Sequence, residues 1–85
     1  MKMNVPIYLA DVTLSLRKKE FGNVKIIKTK TLNKVFVKGF SFEDMIKRKI
    51  EQWNENVFQK KINSKEYVFV EKINLLSQHG FGVDD

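Results

Sequence analysis

Residues 7–17, IYLADVTLSLR, alternate between apolar and polar side chains. The apolar set is Tyr8, Ala10, Val12, Leu14 and Leu16. The polar set is Asp11, Thr13, Ser15 and Arg17. A period of two is typical of a β-strand that buries one face, so this stretch predicts the strand on which the core is built.

The chain turns directly after this strand. Phe21-Gly22-Asn23 supplies turn chemistry, because Gly and Asn tolerate a positive φ. Residues 24–31, VKIIKTKT, are rich in β-branched side chains and predict a second strand. Val24 and Ile26 have one parity and Ile27 the other, so this strand either contains a bulge or buries both faces.

Residues 34–40 predict a third strand, preceded by a turn at Leu32-Asn33. Val35 and Val37 would face one side of it. Lys34, Phe36, Lys38 and Phe40 would face the other. The second and third strands could instead be one long bent strand.

Ser41 marks the beginning of a helix, because serine is a preferred N-cap and Glu43 and Asp44 follow in the first turn. The apolar positions recur at helical spacing and predict one buried stripe, made of Phe42, Met45, Ile46, Ile50, Trp53 and Val57. We expect the helix to end at Asn54 or Asn56 and to lie across one face of the sheet.

A polar loop over 59–65 leads to a further predicted strand, 66–76, EYVFVEKINLL. The remaining residues, 77–85, contain Gly80-Phe81-Gly82 and two terminal aspartates, and predict a flexible C-terminal tail. The chain is therefore expected to be a single α+β domain over 1–76. Its small antiparallel sheet of three to four strands would carry one amphipathic helix on one face, in the order β-β-β-α-β.

Positive charge is concentrated in residues 17–38. This segment has a net charge of +7 in a chain of +6, with Glu20 as its only acid. The bases are Arg17, Lys18, Lys19, Lys25, Lys28, Lys30, Lys34 and Lys38. Two interpretations follow: the segment contacts phosphates, or its lysines keep exposed strand edges from pairing with other sheets.

Lysine and phenylalanine alternate in Lys34-x-Phe36-x-Lys38-x-Phe40. Single-stranded nucleic acid often binds such a strand face, with bases stacked on rings and phosphates near lysines. Phe40 lies beside the beginning of the helix and is expected in the core. Phe36 is left open between the core and a stacking role. Trp53 is expected in the core.

No pattern in the sequence indicates an enzyme. The chain has no cysteine, its one histidine is His79 in the tail, and no ligand spacing suggests a metal site. Its glycines are too scattered for a phosphate-binding loop. We therefore expect no catalytic residues and no cofactor. The N-terminal apolar run is short and interrupted by Pro6, which favours a cytoplasmic protein without a membrane partner.

The Lys-rich segment 17–38 and the single helix on a small sheet resemble small T-even-type phage proteins that inhibit host toxin–antitoxin systems. Among them are basic, RNA-binding inhibitors of the ToxN ribonuclease. The resemblance implies a non-enzymatic inhibitor with RNA or a host protein as its partner. It transfers no residue role to a numbered position.

The sequence thus predicts a small basic RNA-binding or single-strand-binding protein that acts as a regulator or inhibitor. The alternative is a protein-interaction module, such as a phage-encoded inhibitor that docks on a host toxin or defence protein. The expected nucleic-acid-binding residues are Arg17, Lys18, Lys19, Lys25, Lys28, Lys30, Lys34, Phe36 and Lys38.

Overall fold

A three-stranded antiparallel sheet and one helix make up the described part of the chain. The computed structural model describes residues 3–58 and 62–84. The elements are β1 (Met3–Glu20), β2 (Asn23–Lys38), α1 (Phe42–Asn56) and β3 (Glu66–Asp84). The strand order is β2-β1-β3, so β1 is central. This confirms the predicted α+β class, with two strands before the helix instead of three.

The core lies between α1 and one face of β1. Val12, Leu14 and Leu16 of β1 have no exposed surface, as their alternation predicted. Met45 and Trp53 of α1 pack against them together with Val57, which follows the helix, and with Val68 and Val70 of β3. The helix therefore covers the centre of the sheet, and Trp53 is a core residue as expected.

The two strands predicted within 24–40 are one bent strand, β2. Ala10 pairs with Val35 and Val12 pairs with Leu32, so Asn33 and Lys34 together oppose Asp11. Lys34 has a φ of +53°. The turn expected at Leu32-Asn33 is wrong: Leu32 stays paired, and Asn33 forms a β-bulge with Lys34 that bends the strand without ending it. Val35 and Val37 keep the predicted common face, opposite Ala10 and Tyr8.

A second irregularity settles the register of the lysine-rich half of β2. The register shifts between Leu16 and Arg17 because Ile27 is the extra residue. Val24, Ile26 and Ile27 are all exposed. The bulge alternative is therefore confirmed and burial of both faces is wrong.

The helix begins where predicted. The Ser41 side chain accepts a hydrogen bond from the backbone N–H of Asp44 at 3.2 Å. Phe40 and Phe42, both predicted in the core, are instead exposed. Phe40 lies beyond the end of β2 and Phe42 is the first residue of α1, where the helix does not yet lie over the sheet.

The last strand is longer than predicted. Residues 77–84 were expected to be a flexible tail, but Ser77 pairs with Leu9 and Asp84 pairs with Met3, so β3 continues to Asp84. Of the predicted loop 59–65, residues 59–61 lie outside the described residues, as does Asp85. Within the described ranges, no helix combines the length and apolar character needed to cross a membrane.

Candidate nucleic-acid interface

Three adjoining hollows follow β2 where it meets α1. The largest has a volume of about 440 Å³ and lies between residues 30–36 of β2 and residues 49–57 of α1 and its C-cap. A hollow of about 180 Å³ adjoins it through Lys30 and Val57. A third, of about 140 Å³, adjoins it through Phe36 and Lys49. We call the three together the basic groove.

Five lysines line the basic groove: Lys28, Lys30, Lys34, Lys38 and Lys49. Among the described residues that line it, none is Asp or Glu. From residue 28 to residue 38 an extended strand rises about 33 Å. The groove is therefore a positively charged track along one edge of the sheet, and such a track attracts polyanions.

Strand pairing places Lys28 and Lys30 on the helix side of the sheet. Lys28 pairs with Leu16 and Lys30 pairs with Leu14, and both leucines are core residues. The Lys30 Nζ donates a hydrogen bond of 3.1 Å to the backbone carbonyl of Val57, directly after α1. This places a cation at the negative end of the helix dipole, where α1 has no basic residue in its own last turn.

The bulge in β2 positions Lys34. Its backbone N–H donates to Oδ1 of Asp11 at 2.9 Å, which fixes the backbone at the left-handed φ. Lys34 then lines the largest hollow, across from Lys49 of the helix. The Lys49 Nζ itself donates to Oε1 of Gln52 at 3.3 Å.

Phe36 is not a core residue. Its side chain is exposed, and it lines two of the three hollows. Its ring meets His79 edge-on, with the ring centroids 5.5 Å apart. His79 Nε2 lies 2.8 Å from the Ser77 Oγ, so the histidine is held in place on β3. Phe36 alternates with Val35 and Val37, which face the core, so its ring lies on the sheet face away from the helix and borders the groove from the edge strand.

The other predicted site residues lie outside the basic groove. Lys18 and Lys25 line a separate hollow of about 230 Å³ at the tip of the β1–β2 hairpin. Lys19 is exposed on β1 next to that tip, opposite Val24.

Arg17 points to the face of the sheet away from the helix. Its guanidinium forms a 2.5 Å ion pair with Glu71 and lies 4.0 Å from the centroid of the Phe69 ring. The fully buried Ser15 donates to the same Glu71 oxygen at 2.6 Å. The Ser15 hydroxyl first, and Arg17 second, lower the pKa of the Glu71 carboxyl, while the hydrogen bond to Glu71 raises the pKa of Arg17. The charge of Arg17 is thus neutralised locally, and this residue is separated from the groove.

Helix residues complete the groove, and none of them was predicted. Lys49, Gln52 and Asn56 line the largest hollow. Their spacing of three and four places them on one stripe of α1, next to Trp53. The sequence does contain a signal for these residues, because polar side chains next to the buried stripe of a helix lie where the helix meets the sheet.

Comparisons with protein-family models, with curated proteins and with solved structures gave no match.

Proposed function

We propose that the chain is a non-enzymatic protein that binds single-stranded nucleic acid, in the first instance RNA, through the basic groove. The observation that supports this most directly is the convergence of five lysines from β2 and α1 on one track whose described lining contains no acid. Lysines contact backbone phosphates as point charges, which gives affinity with little dependence on sequence.

Phe36 adds the second element of single-strand recognition. Phe36 lies between Lys34 and Lys38 on the edge strand that the groove follows, and its exposed ring lies on the sheet face away from the helix. Single strands bind where bases stack on aromatic rings while phosphates lie near cations. A duplex has no free base faces to offer, so this arrangement favours a single strand.

The biological role that fits such a surface is regulation or inhibition by occupancy. A protein that covers a stretch of RNA blocks other proteins from it without turnover. The resemblance to small phage-encoded RNA-binding inhibitors of toxin–antitoxin ribonucleases points to the same role.

The test is a titration of a fluorescein-labelled 12-nucleotide RNA by anisotropy, from 50 to 200 mM salt. The informative variant is Lys34→Gln with Lys49→Gln. The matched control is Lys47→Gln with Lys72→Gln, which removes the same charge away from the groove. For single strands each phosphate contact adds about 0.7 to the salt slope, so the groove variant should lower the slope by about 1.4.

The control variant should leave the slope within error of the wild type. Failure of the wild-type protein to bind, or an affinity that does not change with salt, would overturn the proposal. DNA of the same sequence, titrated in parallel, distinguishes RNA from single strands in general.

A second candidate function is protein interaction through the outer edge of β3. Residues 73–83 contain no charged side chain, and Leu75, Leu76 and Phe81 are exposed on this edge strand. Such an edge can add to the sheet of a partner, such as a host toxin or defence protein. Capture of a partner that survives nuclease treatment, and is lost in Leu76→Lys, would favour this function over RNA binding.

A further inference from the structure

The tip of the β1–β2 hairpin is a two-residue loop with a phenylalanine in it. Glu20 pairs with Asn23, so Phe21 and Gly22 alone make the turn. Both have a positive φ, +52° and +78°. This is the type I′ geometry, which favours Asn-Gly or Gly-Gly and disfavours a bulky side chain at the first position.

Phe21 gains nothing from the fold at this position. Its side chain is 94% exposed, the highest exposure among the exposed large hydrophobic residues of the described chain. The left-handed conformation costs free energy for any residue with a Cβ, and the ring recovers none of it by burial. A strained backbone with a fully exposed ring points to a contact outside the chain.

The surroundings of the ring are cationic. Phe21 lines the tip hollow with Lys18, Glu20, Asn23 and Lys25. The Glu20 carboxylate lies 3.6 Å from the Lys18 Nζ and 3.9 Å from the Lys65 Nζ. The single acid of the hollow is thus offset by two lysines, and Lys25 adds a further positive charge.

We propose that Phe21 is a stacking platform for an unpaired base of the bound strand, with Lys18 and Lys25 contacting the phosphates beside that base. This rests on the proposed function and extends it to a second contact point. Lys25 and Lys28 belong to the same strand, so a nucleic acid in the basic groove can continue along β2 to the tip. A base offers a π-face and adjacent phosphates together, which matches a ring between lysines.

The test uses Phe21→Leu, Phe21→Tyr and Phe21→Asn in the full chain. The probe is the 12-nucleotide RNA with one 2-aminopurine, whose fluorescence falls when it stacks. Phe21→Leu keeps the apolar side chain and the strained backbone but removes the π-face. It should weaken binding about fivefold or more and abolish the quenching at an unchanged melting temperature. Phe21→Tyr should bind and quench as the wild type does.

Phe21→Asn separates the binding role from folding. Asparagine suits the left-handed position, so this variant should melt at a higher temperature and yet bind more weakly. The matched control is Phe42→Asn, which removes another exposed ring, at the first position of α1. It should leave affinity unchanged.

The outcomes distinguish this inference from the proposed function. Wild-type affinity and quenching in Phe21→Leu, with weakened binding in the Lys34/Lys49 groove variant, would overturn the role of Phe21 and leave the groove intact. If the wild-type protein binds no nucleic acid, both the groove and the tip lose their proposed ligand.

Discussion

The backbone N–H of Lys34 and the carboxylate of Asp11 are joined by a 2.9 Å hydrogen bond across the bulge in β2. Lys34 is held at a φ of +53°, a conformation that few residues other than Gly and Asn adopt readily. The same residue lines the largest hollow of the basic groove. At position 34 the fold therefore favours Gly or Asn, whereas the proposed binding requires a lysine.

Lys34→Asn should raise the free energy of unfolding by up to about 1 kcal/mol, because asparagine tolerates the left-handed φ better than lysine. Urea denaturation at neutral pH measures the change. Lys25→Asn is the control, since it removes the same charge from the same strand at a residue without a positive φ. An equal response in the two variants would show that charge, not backbone conformation, sets the effect.

Lys30→Met should lower the free energy of unfolding by about 0.5–1 kcal/mol, because it removes the cation bonded to the Val57 carbonyl at the end of α1. Methionine keeps the apolar stem of the side chain. Lys28→Met, two strand pairs along on the same face, is the matched control. The difference between the two should shrink in 1 M salt, and persistence there would contradict an electrostatic cause.

Glu71→Gln should make stability less dependent on pH in the acid range. Ser15 and Arg17 hold the Glu71 pKa below its ordinary value of 4.5, so its ionised form contributes stability that is complete above that value. The contribution is lost as the pH falls through the lowered pKa.

The melting temperatures of wild type and Glu71→Gln should therefore differ by a constant amount from pH 7 to about 5.5 and converge as the pH falls below 4.5 through the lowered pKa. The Asp44 pKa is also lowered, chiefly by the hydrogen bond from the Phe40 N–H. Asp44 is present in both proteins, so its titration cancels in the comparison. A difference that widens towards low pH would contradict the assignment.

Gly39→Ala should destabilise the fold by about 1–3 kcal/mol through overpacking. A Cβ at this position would lie 2.8 Å from the Met45 backbone nitrogen, and backbone cannot move aside cheaply. Gly82→Ala is the comparison, because there the nearest atom is the end of the Ile7 side chain, at 2.9 Å. Thermal unfolding should show the larger loss of stability for Gly39→Ala. A larger loss for Gly82→Ala would mean that the backbone at the beginning of α1 can shift.

The strands and the helix could be predicted from the sequence where their signals come from residues that are close together in the chain. The alternation of residues 8–16 predicted the buried face of β1, and Ser41 predicted the helix cap, as the structure confirms. The turn predicted at Leu32-Asn33 was wrong because a bulge at Asn33 and Lys34 uses the left-handed conformation that also occurs in turns. Only the partner strand, with Asp11 opposite, distinguishes the two.

The end of β3 was missed for a similar reason. Two glycines near the C-terminus suggest a loose tail, yet Gly82 is where the Ile7 side chain passes close to the backbone. The β2 lysines of the candidate site were predicted, since they lie near each other in the sequence. Lys49 joins them only through the packing of α1 on the sheet, which depends on residues far apart in the chain.

The pairing of β1 with both neighbours has a consequence for how the chain folds. Partners across β1 and β2 are at most 31 positions apart, from Ile7 to Lys38, whereas partners across β1 and β3 are 48 to 81 positions apart. Closing the longer loops costs more chain entropy, so the hairpin can assemble early while β3 joins late. In that interval one edge of the central strand and much of its apolar face stay open, which makes the arrival of β3 the step most exposed to aggregation.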